Sequence, residues 1–178
     1  PPVLATDVWD IACNSLKDNG IADEIICDDV RNINFKKYDG VVNLVIGGPP
    51  CPPYSQTRHY LVDKVGGFQD EKAGFAVPEY FRAIKEINPK MFLFENVDGF
   101  TFKTYKEPME FVQEQADLLG YNITYKVVNA ANYGVPQTRK RFICVGLKKE
   151  FGTFEIPEEK YSEKGEKNTK HWVTCGDV

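Results

Sequence analysis

Three short segments of this 178-residue chain hold residues whose types and spacing could carry chemistry. The first is GGPPCPPYSQ at 47–56. Cys51 stands there just past the end of an apolar run, among prolines 49, 50, 52 and 53, whose rings fix the backbone around it. A cysteine in a stiff turn is most often a structural thiol. A thiol presented rigidly at a strand tip is also where an α/β enzyme places a nucleophile, and the thiolate is the form that attacks. The second segment is FENVDG at 94–99, with Glu95 again at the end of an apolar run. Such a carboxylate can simply cap a turn. In a pocket of low dielectric its pKa rises and it serves as a general acid. The third is YGVPQTRKRFICVG at 133–146. Gln137, Arg139 and Arg141 lie two apart, so an extended backbone would project them on one side. The run Arg139-Lys140-Arg141 is usually a solvated edge. It is also the densest basic cluster in the chain and suits contact with phosphate.

These residues need elements to position them. VLAT (3–6) reads as the end of a strand, and the apolar spacing of 7–19 predicts a helix with Asp7 as N-cap and Asn19-Gly20 as its stop. EIIC (24–27) is a short strand. VVNLVIGG (41–48) is a continuous apolar run, as in a strand buried on both faces. Residues 49–76 form a long loop, and a long loop inside a compact domain is usually functional. A helix is expected at about 78–88, a buried strand at 91–96 and an amphipathic helix over 105–120. Strands follow at 121–130 and 141–149. From about residue 150 the composition turns to Lys and Glu, so 150–178 reads as a solvated extension to the domain at 1–149. Strands alternate with helices until the last two, which can pair antiparallel. That order predicts a doubly wound α/β sheet, whose ligands bind beyond the carboxyl ends of its strands.

Composition narrows the function classes. Hydrophobic residues make up 42% and charged residues 27%, which excludes a disordered tail and a collagen. No apolar run approaches the roughly 20 residues of a membrane span. The net charge of −4 gives no global pull onto nucleic acid, so any such contact must be local. Five cysteines without a C-x-x-C spacing argue against a disulfide framework and suit a reducing compartment. With only His59 and His171 present, a cysteine-histidine zinc site is not expected.

The three segments, in this order, resemble the 5-methylcytosine-forming DNA methyltransferases. That family carries a proline-cysteine motif, then Glu-Asn-Val, then Gln-x-Arg-x-Arg. GGPPC, ENV and YGVPQTRKR match them at similar spacing. The stretch GFQDEKAGFAVPEYFRAIKEINPKMFLFENVDGF looks like the family's segment around Glu-Asn-Val, and Asp29-Val30 resembles its Asp-Ile motif. The resemblance covers about residues 3–148. Some family features depart or are missing. Pro52 stands where the family usually has Gln, and Lys72 where it often has Arg. The glycine-rich first motif and the target recognition domain are not found in these residues; under the resemblance, 150–178 is either a polar extension or the start of the target recognition region.

The resemblance implies a Rossmann-like fold for S-adenosylmethionine-dependent methyl transfer, mostly parallel with an antiparallel strand and incomplete at its N-terminus. It implies that Cys51 adds to carbon 6 of a flipped cytosine, with Glu95 acting on ring nitrogen 3 and Arg139 and Arg141 nearby. It assigns Asp7, Val8, Asp29, Val30 and Pro50 to S-adenosylmethionine, and Ser55, Gln56 and Gln137 to the nucleic acid. The expected partners are double-stranded DNA and a cognate restriction endonuclease, in a bacterial cytoplasm at the nucleoid, with no membrane and no metal. These residues alone are expected to be inactive without the first motif. Two alternatives stay open: a transfer RNA substrate, as in one branch of the family, or a non-catalytic module that keeps the fold.

Overall fold

The computed structural model describes residues 2–50, 74–101, 106–166 and 168–178. β1 (Leu4–Asp7) pairs parallel with β2 (Glu24–Cys27), and α1 (Asp10–Asp18) is the crossover between them. β3 (Leu44–Gly47) pairs parallel with β4 (Met91–Val97), with α2 (Ala76–Ile87) preceding β4. α3 (Lys106–Leu118) leads to β5 (Tyr121–Asn129) and β6 (Lys140–Lys148). β6 inserts antiparallel between β4 and β5, giving the order β3-β4-β6-β5. The short β7 (Tyr161–Ser162) and β8 (Lys170–His171) form a third, parallel pair. The expected α/β architecture with an antiparallel strand is therefore present.

α2 ties the two larger sheets together. Its residues Val77, Tyr80, Phe81 and Ile84 pack with Phe92 and Phe94 of β4 and with Phe142 of β6. Ala83 and Ile87, on the same helix, join Ile33, Phe35 and Tyr38 in a second cluster that Leu4 of β1, Ile26 of β2 and Val45 of β3 pack against. This is the apolar stripe that the 3.6-residue period of the sequence encodes. The helix ends where Asn88 turns left-handed at φ 51 before Pro89.

Two local expectations need correction. α1 starts at Asp10, and its N-cap position is Trp9 with no side-chain cap bond. Asp7 closes β1 instead, where its Oδ1 accepts the Trp9 N–H at 2.8 Å. β3 is not covered on both faces. Among the described residues it is the terminal strand of its sheet, and Ile46 is 68% exposed.

Close packing at glycine sets a stability test. Gly146 on β6 pairs with Phe92 on β4, and a Cβ there would come 2.0 Å from the Phe92 ring. Phe92 is fully buried and has no room to yield. Gly146→Ala is expected to destabilise the fold by about 3 kcal/mol, the upper part of the range for overpacking. A urea midpoint equal to that of the parent would refute it.

The segment after β6 is anchored rather than trailing. The Trp172 indole N–H donates to Asn132 Oδ1 at 2.8 Å, the Lys160 N–H donates to the Asn132 carbonyl, and Lys126 pairs with Glu159 at 2.9 Å. Its other Lys and Glu side chains are mostly exposed.

Candidate active site

The carboxyl ends of β1, β2, β3 and β4 each carry a residue that the sequence marks as functional. Glu95 lies one residue beyond Phe94, the β4 partner of Gly47. Its carboxylate sits beside the exit of β3, since a Cβ on Gly48 would meet Glu95 Oε2 at 3.1 Å. Glycine at 48 therefore leaves the room that the carboxylate occupies. On its other side Glu95 Oε1 meets Arg141 Nε at 2.9 Å. The strand register explains that contact: Val97 pairs with Arg141 and Glu95 with Ile143, so the two side chains are diagonal neighbours on one face. Glu95 is 37% and Arg141 26% exposed, so the pair is half-open to solvent rather than sealed. The Arg141 guanidinium also donates from Nη1 to the Lys140 carbonyl at 2.7 Å.

Of the three residues spaced two apart, only Arg141 forms an ion pair with this carboxylate. The backbone bends at Gln137, whose N–H donates to the Val135 carbonyl at 2.7 Å. Alternation on one side needs an extended chain, and the strand begins only at Lys140. Arg139 is exposed just before it, with its backbone N–H bound to Asn129 Oδ1. Gln137 is exposed too, in a groove of about 580 Å³ that Pro136, Trp172 and Cys175 help to line. Cys51, Ser55 and Gln56 lie outside the described residues; Pro50, the last before them, is exposed.

Asp7 and Asp29 flank the ends of two adjacent parallel strands, β1 and β2. Val8 follows Asp7 and is 72% exposed, with Trp9 beside it also open. Asp29 caps the short turn Val30–Asn32 and forms a two-point ion pair with Arg31, Nε to Oδ1 at 2.9 Å and Nη2 to Oδ2 at 2.6 Å. These hydrogen bonds from Arg31 hold the Asp29 pKa down at about 2, so it is an ionised acceptor at any ordinary pH. Val30 packs against the second hydrophobic cluster. Carboxylate acceptors next to an open apolar surface fit a ligand with hydroxyls, an amino group and a flat heterocycle. Among the described residues, no group of three His, Cys, Asp or Glu side chains could hold a metal ion.

Two residues that position this edge were not singled out from sequence. Arg82 of α2 donates to the carbonyls of Val30 at 2.7 Å and Ile33 at 3.0 Å, while Glu79 and Glu86 grip it from its own helix. It staples the Asp29 turn to α2. The carboxylates at i−3 and i+4 were visible in the sequence, but its reach across to the turn after β2 was not. The other is Asn96, fully buried beside Glu95.

Comparison with known proteins bears on what such a site does. The family model for C-5 cytosine-specific DNA methylases matches residues 2–175. Among curated proteins, the chain is 33% identical over 172 residues to the type II methyltransferase M.SacI of Streptomyces achromogenes, covering 93% of this chain and 43% of that enzyme. It is 37% identical over 162 residues to the type II methyltransferase M.NgoMIV of Neisseria gonorrhoeae, covering 91% of this chain and 49% of that one. The chain thus spans less than half the length of either relative. Among solved structures, a DNA modification methyltransferase encoded in an E. coli prophage matches with a TM-score of 0.70 at 25% identity, over 98% of this chain and 46% of its own. The S. pombe Dnmt2 methyltransferase shares the fold, with a TM-score of 0.62 at 18% identity over 89% of this chain and 44% of its own.

Proposed function

The chain belongs to the C-5 cytosine-specific DNA methylase family, and on that footing we propose that it serves to methylate carbon 5 of cytosine in DNA through a transient cysteine adduct. The observation that supports this most is the placing of Glu95. Its carboxylate lies against Gly48, three residues before Cys51, and is held there by Arg141.

The chemistry asks for such a pair. Carbon 5 of cytosine is a poor nucleophile until a thiolate adds to carbon 6. Cys51 supplies that thiolate, forming the sulfur–carbon bond. Glu95 donates a hydrogen bond or proton to ring nitrogen 3, which takes up the electron density pushed into the ring. After carbon 5 is methylated, a base removes its proton, the electron pair returns, and the bond to Cys51 breaks. Arg141 orients the Glu95 carboxylate. An intact duplex hides carbon 6, so the base must leave the stack to reach the thiol.

S-adenosylmethionine, the donor this family implies, supplies an electrophilic methyl group when bound. Asp7 would hold its ribose hydroxyls, Asp29 its adenine amino group, and Val8 and Val30 would flank the purine, with Pro50 toward the sulfonium. Arg82 and Arg31 fix the Asp29 turn from two sides.

The test uses the natural polypeptide that contains residues 1–178, duplex DNA and tritiated S-adenosylmethionine. Tritiated 5-methylcytosine should appear in the digested DNA. Label in transfer RNA alone would redirect the substrate, and no 5-methylcytosine in either would defeat the proposal.

A further inference from the structure

Two cysteines meet where α1 packs on the end of β2. Cys27 is the last residue of β2, and its register partner on β1 is Asp7. Cys13, on α1, donates from Sγ to the Asp7 carbonyl at 3.4 Å. The Asp28 N–H donates to the same carbonyl at 3.1 Å. The Cys27 thiol hydrogen-bonds in turn to Cys13. The two thiols share one small site and differ in access: Cys13 is 1% exposed, whereas Cys27 is open to solvent.

The methyl-transfer reading uses neither thiol. Their contact adds little as a hydrogen bond, because S–H is a weak donor and sulfur a weak acceptor. An apolar side chain of the same size would fill either position as well. What two touching thiols add is the ability to give up two hydrogens and join.

We propose that Cys13 and Cys27 form a reversible dithiol–disulfide site that a hydroperoxide oxidises. The Cys27 thiolate attacks the terminal oxygen of the peroxide, becoming a sulfenic acid and releasing an alcohol, or water from hydrogen peroxide. The Cys13 sulfur then bonds to the Cys27 sulfur, and the hydroxyl leaves with the Cys13 proton as water. Two thiols and one peroxide thus yield one disulfide, one alcohol and one water. A dithiol reductant reverses the step by exchange and is itself oxidised to a disulfide. Exposure gives Cys27 the first step, and burial reserves Cys13 for the second. The new bond replaces the weak donation from Cys13 to Asp7 and ties α1 covalently to β2. Cys27 is protonated at neutral pH, its thiol pushed up to about 11 chiefly by Cys13, so the pair answers sustained rather than brief exposure.

The test exposes the reduced 178-residue chain to hydrogen peroxide, alkylates the remaining thiols and digests with trypsin without reduction. Cleavage after Lys17 and Arg31 puts Cys13 and Cys27 in separate peptides, 1–17 and 18–31, so their bond is seen as one joined mass. That joined peptide should exceed any pairing with Cys51, Cys144 or Cys175 by at least about tenfold, and dithiothreitol should abolish it. In concentrated urea the preference should vanish, because it comes from the fold. In Cys13→Ser the sulfenic acid at Cys27 has no partner, and its capture by dimedone should rise at least about fivefold over the parent. Sulfinic acid at Cys27 with Cys13 still a thiol, another pairing in excess, or no oxidation after prolonged exposure each overturns the proposal.

Discussion

Replacing Cys51 with alanine is expected to lower DNA methylation by more than about 10⁴-fold, the scale seen when a covalent catalyst loses its nucleophile. The reason is electronic. Without addition at carbon 6 the ring keeps its conjugation, and carbon 5 does not attack a methyl group. No nearby described residue can substitute. The buried Cys144 is held in the core of the sheet, and burial pushes its thiol up to about 12, leaving it protonated and inert. Exposed Cys27 is raised as well, to about 11, chiefly by its hydrogen bond with Cys13. Methyl transfer by the alanine variant at the parent rate would remove Cys51 from the reaction. An unchanged near-ultraviolet circular dichroism spectrum must accompany the loss, so that unfolding is not its cause.

Glu95→Gln is expected to slow the reaction by about 10²–10⁴-fold, the usual contribution of a positioned acid. The change keeps the shape against Gly48 and still offers an amide oxygen to Arg141, but it removes the proton that an acid can transfer to nitrogen 3 and the charge that pairs with the arginine. The loss should fall on kcat. The pair is half-open to solvent, and such exposed ion pairs contribute at most about 1 kcal/mol to folding, so the unfolding midpoint should scarcely move. Combining Glu95→Gln with Arg141→Ala separates orientation from other roles of the arginine. If Arg141 works through Glu95, the double variant is hardly slower than Glu95→Gln alone. A Glu95→Gln enzyme with parental kcat removes the acid from the mechanism.

Much of this arrangement was legible in the residues. The period-3.6 stripe of Tyr80, Phe81, Ile84 and Ile87 places α2, and Gly120 marks the turn after α3. The strands expected at 121–130 and 141–149, β5 and β6, read correctly as an antiparallel pair. Other features depended on partners that no local pattern names. The apolar run at 41–48 looked fully covered because composition records preference for burial, not the presence of a neighbour. Asp7 looked like a helix cap because Asp suits both a cap and a strand end. Gln137 and Arg139 parted from Arg141 because one bend cancels a period of two. Asn96 was readable in principle, since it continues the inward alternation of Phe92 and Phe94. The joining of Glu95 to Arg141 required the register of β4 on β6, which sequence spacing does not fix.

The outer side of β3 has a consequence for the protein in solution. Among the described residues, that strand pairs only with β4. Its other backbone edge therefore offers N–H and C=O groups in a row, next to the open side chains of Leu44 and Ile46. β1 and β2 form a separate ribbon, and Val8, Trp9 and Ile11 stand uncovered after it. An edge of this kind invites pairing with another chain. The net charge of −4 opposes that pairing through mutual repulsion, which salt weakens. Sedimentation should therefore show the 178-residue chain associating as its concentration and the ionic strength rise together, and a single monomeric species throughout would show that the edge is already occupied.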